Sequence, residues 1–294
     1  MKDVINLAVV NFTCVWGNKA ANLHRIKEYT IAAGKRGMDM IVFPETALTG
    51  YDNDLDHQGQ EKMHCQLAET IPGDSTEKMT KVAKKYGMYV VFGMPECKDG
   101  KVYNSAAIIE PSGKIYSYRK IHLPFDEKEW AANGNQPVLI QTPFGPVGVS
   151  ICYDTYCFPE LIRYYRAKGA RLCLNVTACP DVPCTAGAAK LTIPAYAYIN
   201  YVFIASANLC GYDKRSRFIG GSSVVGPAYT KGGAISYIGK TFGQAGSDTP
   251  GMMCGSIDLS LADQYTDIPI FRKDEKGQCD WRNDLYADLY KKCQ

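Results

Sequence analysis

The chain has 294 residues, 46% of them hydrophobic and 21% charged, with a formal net charge of +3. This is the balance of a globular protein long enough to bury a sizeable core, in one large domain or two small ones. Lys and Arg are interleaved with Asp and Glu, so no basic stripe marks a nucleic-acid partner. No apolar run approaches about 18 residues, so no membrane-spanning helix is expected.

The opening MKDVINLAVVNFTC is too short and too interrupted for a secretory apolar segment, and a cytoplasmic protein is expected. Residues 5–11 read as a buried strand. In residues 18–36, Leu23, Ile26, Thr30 and Ala33 recur near helical spacing, and Gly34 and Gly37 end that helix. Residues 40–43 form a second strand, stopped by Pro44. After a polar loop over 52–65, Asp74 caps a helix that runs to Tyr86, with Gly87 as its stop. Residues 88–93 are the next strand, and 105–109 with 114–118 make a hairpin around Pro111, Ser112 and Gly113.

The second half follows a similar plan. Residues 147–151 are a strand. Phe158, Leu161, Ile162 and Tyr165 then stand at i, i+3, i+4 and i+7, so a helix follows Cys152. A strand over 171–176, a helix over 186–200 and a strand over 202–206 come next. Residues 222–225 and 234–237 flank the turn-rich PAYTKGG as a hairpin, and 256–259 close the core. Strands alternating with helices predict an α/β fold. No linker divides residues 1–262, and the polar segment 263–294 is expected as an extension on the surface or on a partner.

Twelve cysteines and four histidines raise the question of disulfides or metal. A disulfide scaffold would be shorter and would follow a signal peptide. No CxxC occurs, Cys173, Cys179 and Cys184 are loosely spaced, and the histidines are scattered, so no metal site is expected. Reduced thiols acting as small hydrophobes are the simpler reading.

Three reactive groups fall where strands run out: Glu45 after 40–44, Lys120 after 114–118 and Cys152 after 147–151. Taken singly, each has a bland reading as a loop carboxylate, a solvated amine and a core thiol. Together they change the balance, because α/β sheets bind ligands beyond their carboxyl strand ends. A cysteine that opens a helix also gains positive potential, which is expected to lower its pKa.

The motifs FPETALTGY (43–51), YRKIHL (118–123) and VSICYDTYCFPE (149–160) occur in this order. NLCG from Asn208 and FIGGSSVVGP over 218–227 follow them. Over residues 4–260 the chain thereby resembles the nitrilase, or carbon–nitrogen hydrolase, superfamily. The resemblance implies a four-layer α-β-β-α sandwich, paired into a homodimer or larger homo-oligomer through the helices beside the nucleophile. It implies Cys152 as nucleophile, Glu45 as general base, and Lys120 with the N–H of Tyr153 as the oxyanion site. A second, substrate-positioning glutamate is implied seven residues before a glycine, which selects Glu127 before Gly134. Glu129 is its rival, and Trp130 is the expected anchor of that loop. Asn175, Thr177, Ala178 and Cys179 follow a strand expected to border the pocket, and the 52–65 loop is expected to cover it.

Three positions depart from the family pattern: Asn11, where glutamine is frequent, Ile199, where an acidic residue is common, and Cys157, where a bulky residue is frequent. The chemistry implied is attack on an amide carbon, loss of ammonia, a thioester and its hydrolysis, with no metal or organic cofactor. The implied partner is a small linear amide or an N-carbamoyl amine. A nitrilase, and a catalytically silent binding protein on the same fold, are the alternatives. At the site itself, a Cys152–His122 dyad and a Cys152–Cys157 redox pair are the minor readings.

Overall fold

The computed structural model describes residues 1–228, 232–264 and 274–293. In chain order its elements are β1 (Val4–Asn11), α1 (Lys19–Lys35), β2 (Met40–Val42), α2 (Met63–Leu67), α3 (Asp74–Tyr86), β3 (Tyr89–Lys98), β4 (Lys101–Ile109) and β5 (Ile115–Arg119). Then come β6 (Val138–Thr142), β7 (Gly145–Ile151), α4 (Tyr153–Cys157), α5 (Pro159–Ala167), β8 (Leu172–Thr177), α6 (Pro183–Asn200) and β9 (Phe203–Asn208). The chain closes with β10 (Cys210–Tyr212), β11 (Arg217–Ile219), β12 (Ser223–Ala228), β13 (Gly233–Gly239), β14 (Gly251–Asp258) and α7 (Asn283–Lys291).

Among the described residues two six-stranded sheets result, ordered β14-β1-β2-β3-β4-β5 and β13-β12-β9-β8-β7-β6. The middle of each is parallel: β1, β2 and β3 in one, β7, β8 and β9 in the other. Side chains alternate across a strand, and the first sheet uses both of its faces. Ile5, Leu7, Val9, Met40, Val42 and Val91 enter a core shared with the second sheet. Their neighbours Ala8, Val10, Ile41, Phe43, Val90 and Phe92 join a separate core with Ile26 and Ala33 of α1 and Met79 of α3. On the far side, Ile162 and Tyr165 of α5 and Ile193 and Ala197 of α6 close the second sheet. The layers are therefore α-β-β-α, and the carboxyl ends of the two parallel cores meet: Phe12 bridges Leu209, and the Glu45 N–H donates to the Thr177 carbonyl at 3.4 Å.

Several local readings need correction. Gly34 does not end α1; it lies inside it, where an added Cβ would stand 2.3 Å from the Tyr86 ring, so the glycine lets α1 approach α3. Arg36 caps α1, and Gly37 turns the chain at φ 70°. Asp74 is the first residue of α3 and not its cap. The cap is Gly73, whose N–H donates to Thr76 Oγ1 at 2.8 Å. The helix after Cys152 is two helices broken at Phe158, because Pro159 cannot continue the first and is suited to start the second. Strand β6 and the β10–β11 pair were missed, being short and weakly alternating. The β12–β13 hairpin is present, with residues 229–231 of its turn outside the described residues.

Of the segment 263–294, residues 265–273 and 294 lie outside the described residues. Helix α7 exposes Leu285, Tyr286, Leu289 and Tyr290, and the Tyr290 hydroxyl donates to Glu160 of α5 at 3.0 Å. Among the described residues no helix is long and apolar enough to cross a membrane.

Candidate active site

The turn after β2 carries Glu45. Pro44 stops the strand, and Thr46 takes a left-handed φ of 46°. Gly93 of β3 lets the turn pack this closely: a Cβ there would meet the Thr46 nitrogen at 2.3 Å and the Glu45 Cα at 2.5 Å. Glu45 is 0% exposed. Its Oε1 accepts from Lys120 Nζ at 2.7 Å and from Asn104 Nδ2 at 2.8 Å. Its Oε2 accepts the Ala178 N–H at 2.9 Å, so the carboxylate spans both sheets.

Lys120 follows β5 and is also fully buried. It donates to Glu45 and, at 2.5 Å, to Oε1 of Glu127. Gly134 fixes the lysine's backbone: its N–H donates to the Lys120 carbonyl at 2.7 Å, and a Cβ there would lie 2.2 Å from the Arg119 carbonyl oxygen. The Glu127-to-Gly134 spacing thus has a physical basis, since the loop leaves Lys120, turns at Glu127 and returns to the same backbone. Glu127 is buried and also takes Tyr51 OH at 2.8 Å and Asn104 Nδ2 at 3.0 Å.

Glu129 points elsewhere. It is half exposed and pairs with Lys62 at 2.9 Å and Asn53 at 3.1 Å. Trp130 stacks on His64 at 4.2 Å and, with Leu123, Ala131 and Val102, forms a small core that holds the loop down.

Cys152 sits at the β7–α4 turn with φ 46°, a left-handed conformation that costs a non-glycine residue about 1–3 kcal/mol. The surroundings hold it there. Its N–H donates to the Val176 carbonyl, and its carbonyl accepts from Thr155 and Tyr156. One turn on, Asp154 accepts from Tyr118 OH at 2.6 Å and from the backbone N–H groups of Ile121 and His122 at 3.2 and 2.8 Å. That carboxylate locks the Cys152 turn to the Lys120 segment. His122 is engaged by the same Asp154 at 2.8 Å and stacks on Phe158, so it is a strut of this contact and not the partner of Cys152.

The charges follow from burial. Burial pushes Glu45 up to about 7, with Lys120 pulling it down and Glu127 pushing it up. Burial works against a charged Lys120, but Glu127 and Glu45 more than offset it and hold the ammonium protonated well above the usual lysine range. The lowered pKa expected for Cys152 is not found. Burial and the Glu45 carboxylate push it well up, Lys120 offsets only part, and the helix it opens is five residues long. The resting group is a thiol that needs a base.

Cys152 opens onto a cavity of about 500 Å³. Tyr153, Ala178, Cys157 and Cys179 line it, with Tyr51 and Asn53 from the 52–65 side and Glu127 and Trp130 from the loop. Tyr153 is the first residue of α4, so its N–H has no intrahelical acceptor. Asn175 does not line this cavity: it is buried in β8 and donates to Tyr156 OH and Ser206 Oγ. Thr177 lies beneath the wall, against Cys152 and Tyr156. All twelve cysteines, Cys152 and Cys157 included, are free thiols. The roles of Asn104, Tyr51 and Asp154 were missed by sequence reasoning, although Tyr51 ends the FPETALTGY motif and Asp154 lies in the VSICYDTYCFPE motif.

Asn208 and Ser222, from the later motifs, are structural. Asn208 accepts the Cys179 N–H at 2.8 Å, and Ser222 donates to the Val10 carbonyl at 3.0 Å. Asn11 holds the 247–249 turn through the Ser247 and Thr249 carbonyls.

The carbon-nitrogen hydrolase family model matches residues 6–267. Omega-amidase NIT2 of Xenopus tropicalis is 32% identical over 288 residues, covering 93% of this chain and 94% of that protein. A crystal structure of an amidase from Nesterenkonia sp. superposes with a TM-score of 0.76 at 23% identity, covering 98% of both chains. A mutant of the amidase from Nesterenkonia sp. AN1, with acrylamide added at its active site cysteine, superposes with a TM-score of 0.71 at 25% identity, covering 90% of this chain and 97% of that one.

Proposed function

The chain belongs to the carbon–nitrogen hydrolase family, and from that premise we propose that it hydrolyses a small linear amide or an N-carbamoyl amine through a thioester on Cys152, releasing ammonia. The observation that carries this reading is Lys120, buried between Glu45 and Glu127, the latter of which lines the same cavity as Cys152.

In this mechanism the Cys152 sulfur bonds to the substrate carbonyl carbon while its proton passes to Glu45. The carbonyl oxygen becomes an oxyanion that takes hydrogen bonds from Lys120 and from the Tyr153 N–H. Glu127, fixed by Tyr51 and Asn104, accepts from the substrate amide N–H and keeps Lys120 charged. The C–N bond breaks, the nitrogen takes the proton from Glu45, and ammonia leaves a thioester. Water then adds to the thioester and gives its proton to Glu45. The C–S bond breaks, and the acid departs as Cys152 regains its proton. Ala178 supports this by holding Glu45; Asn175 and Thr177 act through the wall behind Cys152.

The proposal takes residues 1–262 as the catalytic domain and 263–294 as an extension. It includes a homo-oligomer, supported by Leu191, Tyr198 and Ile199 exposed on α6. A cytoplasmic location is supported by the free thiols. The test is ammonia release from a panel of amides, N-carbamoyl amines and nitriles, with the Cys152→Ala protein as control. Turnover of amides or carbamoyl compounds, lost in the control, supports the reading; turnover of nitriles alone, or none, overturns it.

A further inference from the structure

The cavity above Cys152, at about 500 Å³, is far larger than a carboxamide group needs. Beyond the nucleophile its wall is largely apolar, with Tyr51, Trp130, Tyr153 and Val182. At the opening stands Phe125, 83% exposed and at a left-handed φ of 40°. An L residue with a large side chain rarely adopts that conformation, and observed strain of this kind clusters at ligand clamps. The strained turn, which follows Lys120 and precedes Glu127 in the chain, places an apolar ring at the edge of the cavity, where little of the protein covers it.

The charges around the cavity disfavour an acidic ligand. Among the described residues no lysine or arginine lines it. Lys120 is buried behind the wall, Lys62 is held by Glu129, Asn53 and the Asp54 carbonyl, and the Arg215 guanidinium donates to the Asn53 carbonyl. The wall itself carries the carboxylates of Asp52 and Asp126. Asp52 already accepts from the backbone N–H groups of Arg215 and Ser216, while Asp126 is exposed at the opening. A carboxylate tail placed here would lose water and meet its own sign of charge.

Resting on the amide-hydrolase reading, we propose that the substrate carries an uncharged, apolar tail of several carbons, and that Phe125 is the specificity residue that closes over it. The tail covers the exposed ring, and the ring shields the cavity from water.

The test is kcat/KM by ammonia release, using the full chain and its Phe125→Ala and Phe125→Leu variants. Acetamide, butyramide and hexanamide vary tail length. Pentanamide, succinamate and 4-aminobutanamide vary charge at matched length. The expected result is a rise of about fourfold per methylene, carried mainly by KM, and a preference for pentanamide over succinamate of about 100-fold or more. Phe125→Ala lowers the hexanamide-to-acetamide ratio about tenfold, and Phe125→Leu restores most of it. A flat length series, a preference for succinamate or 4-aminobutanamide, or an equal loss on acetamide and hexanamide in Phe125→Ala overturns the tail assignment while leaving the amidase reading intact. No ammonia from any of these amides overturns the tail assignment, and no ammonia from the N-carbamoyl amines either overturns both.

Discussion

Two lysine–glutamate contacts meet on the loop that follows Lys120, and they illustrate opposite uses of the same chemistry. The inner one joins Lys120 to Glu127 and Glu45, with all three side chains almost completely buried. The outer one joins Lys62 to Glu129, whose side chain is 52% exposed. Glu127 and Glu129 are two residues apart on one turn, yet one faces the buried Lys120 and the other faces solvent. Water screens the outer pair, which ties the 52–65 loop to the 123–134 loop and contributes little beyond that. The inner cluster is desolvated, so each charge acts strongly on its neighbours, and removing one leaves the others uncompensated. Burial is therefore what turns an ordinary ion pair into a device for holding a proton near neutrality.

The sharpest way to break this comparison is at the thiol that the inner cluster is proposed to serve. Cys152→Ala should lower turnover by about 10⁴-fold or more while the protein stays folded, as nucleophile removal does where one residue carries the covalent step. Lys120→Gln comes next, with a loss of about 10²–10³ in kcat for the missing oxyanion donor. It should also cost about 3–5 kcal/mol of stability, because Glu45 and Glu127 then face each other without a cation; denaturant melts would check this.

Glu127→Gln and Glu129→Gln test the two regions directly. The inner substitution should lower kcat/KM by about 10²-fold, and the outer one should stay within about threefold. The reverse order would mean that the positioning role belongs to Glu129. A smaller effect concerns pH. Glu45 must be deprotonated to accept the thiol proton, and burial raises its pKa to about 7. Activity should therefore rise with pH through about 7, and a kcat/KM profile flat from pH 5 to 8 would contradict the buried base. The smallest effect is at Cys157, an exposed thiol on the cavity wall. Cys157→Ala should stay within about tenfold of the parent, as for a packing change.

Glu45, Lys120 and Cys152 were legible because each sits where a strand runs out, whereas Glu127 was legible only through the family spacing to Gly134. Pro44 stops the strand before Glu45, and the run into Cys152 is a buried strand followed by helical spacing. The layering was legible through the family motifs, and the period-two alternation of β1 agrees with it. What escaped notice depends on contacts far apart in sequence. Asn104 stands beside Ser105 in strand β4, and nothing local says that it bridges Glu45 and Glu127. Gly34 reads as a helix stop from composition, yet the ring of Tyr86, in another helix, is what requires it. The thiol's pKa was misjudged for the same reason: a helix start is visible in sequence, whereas burial beside Glu45 is a property of the folded site.

The central claim is that the inner cluster delivers a thiolate at Cys152 that forms a covalent acyl intermediate. Its most direct test is intact-protein mass spectrometry on rapidly quenched turnover of the best amide found, followed by peptide mapping. The account predicts a mass gain equal to the substrate acyl group, mapped to Cys152, absent in Cys152→Ala and discharged by hydroxylamine. Turnover that persists in Cys152→Ala, or an adduct mapped to another cysteine such as Cys157 or Cys179, would contradict it.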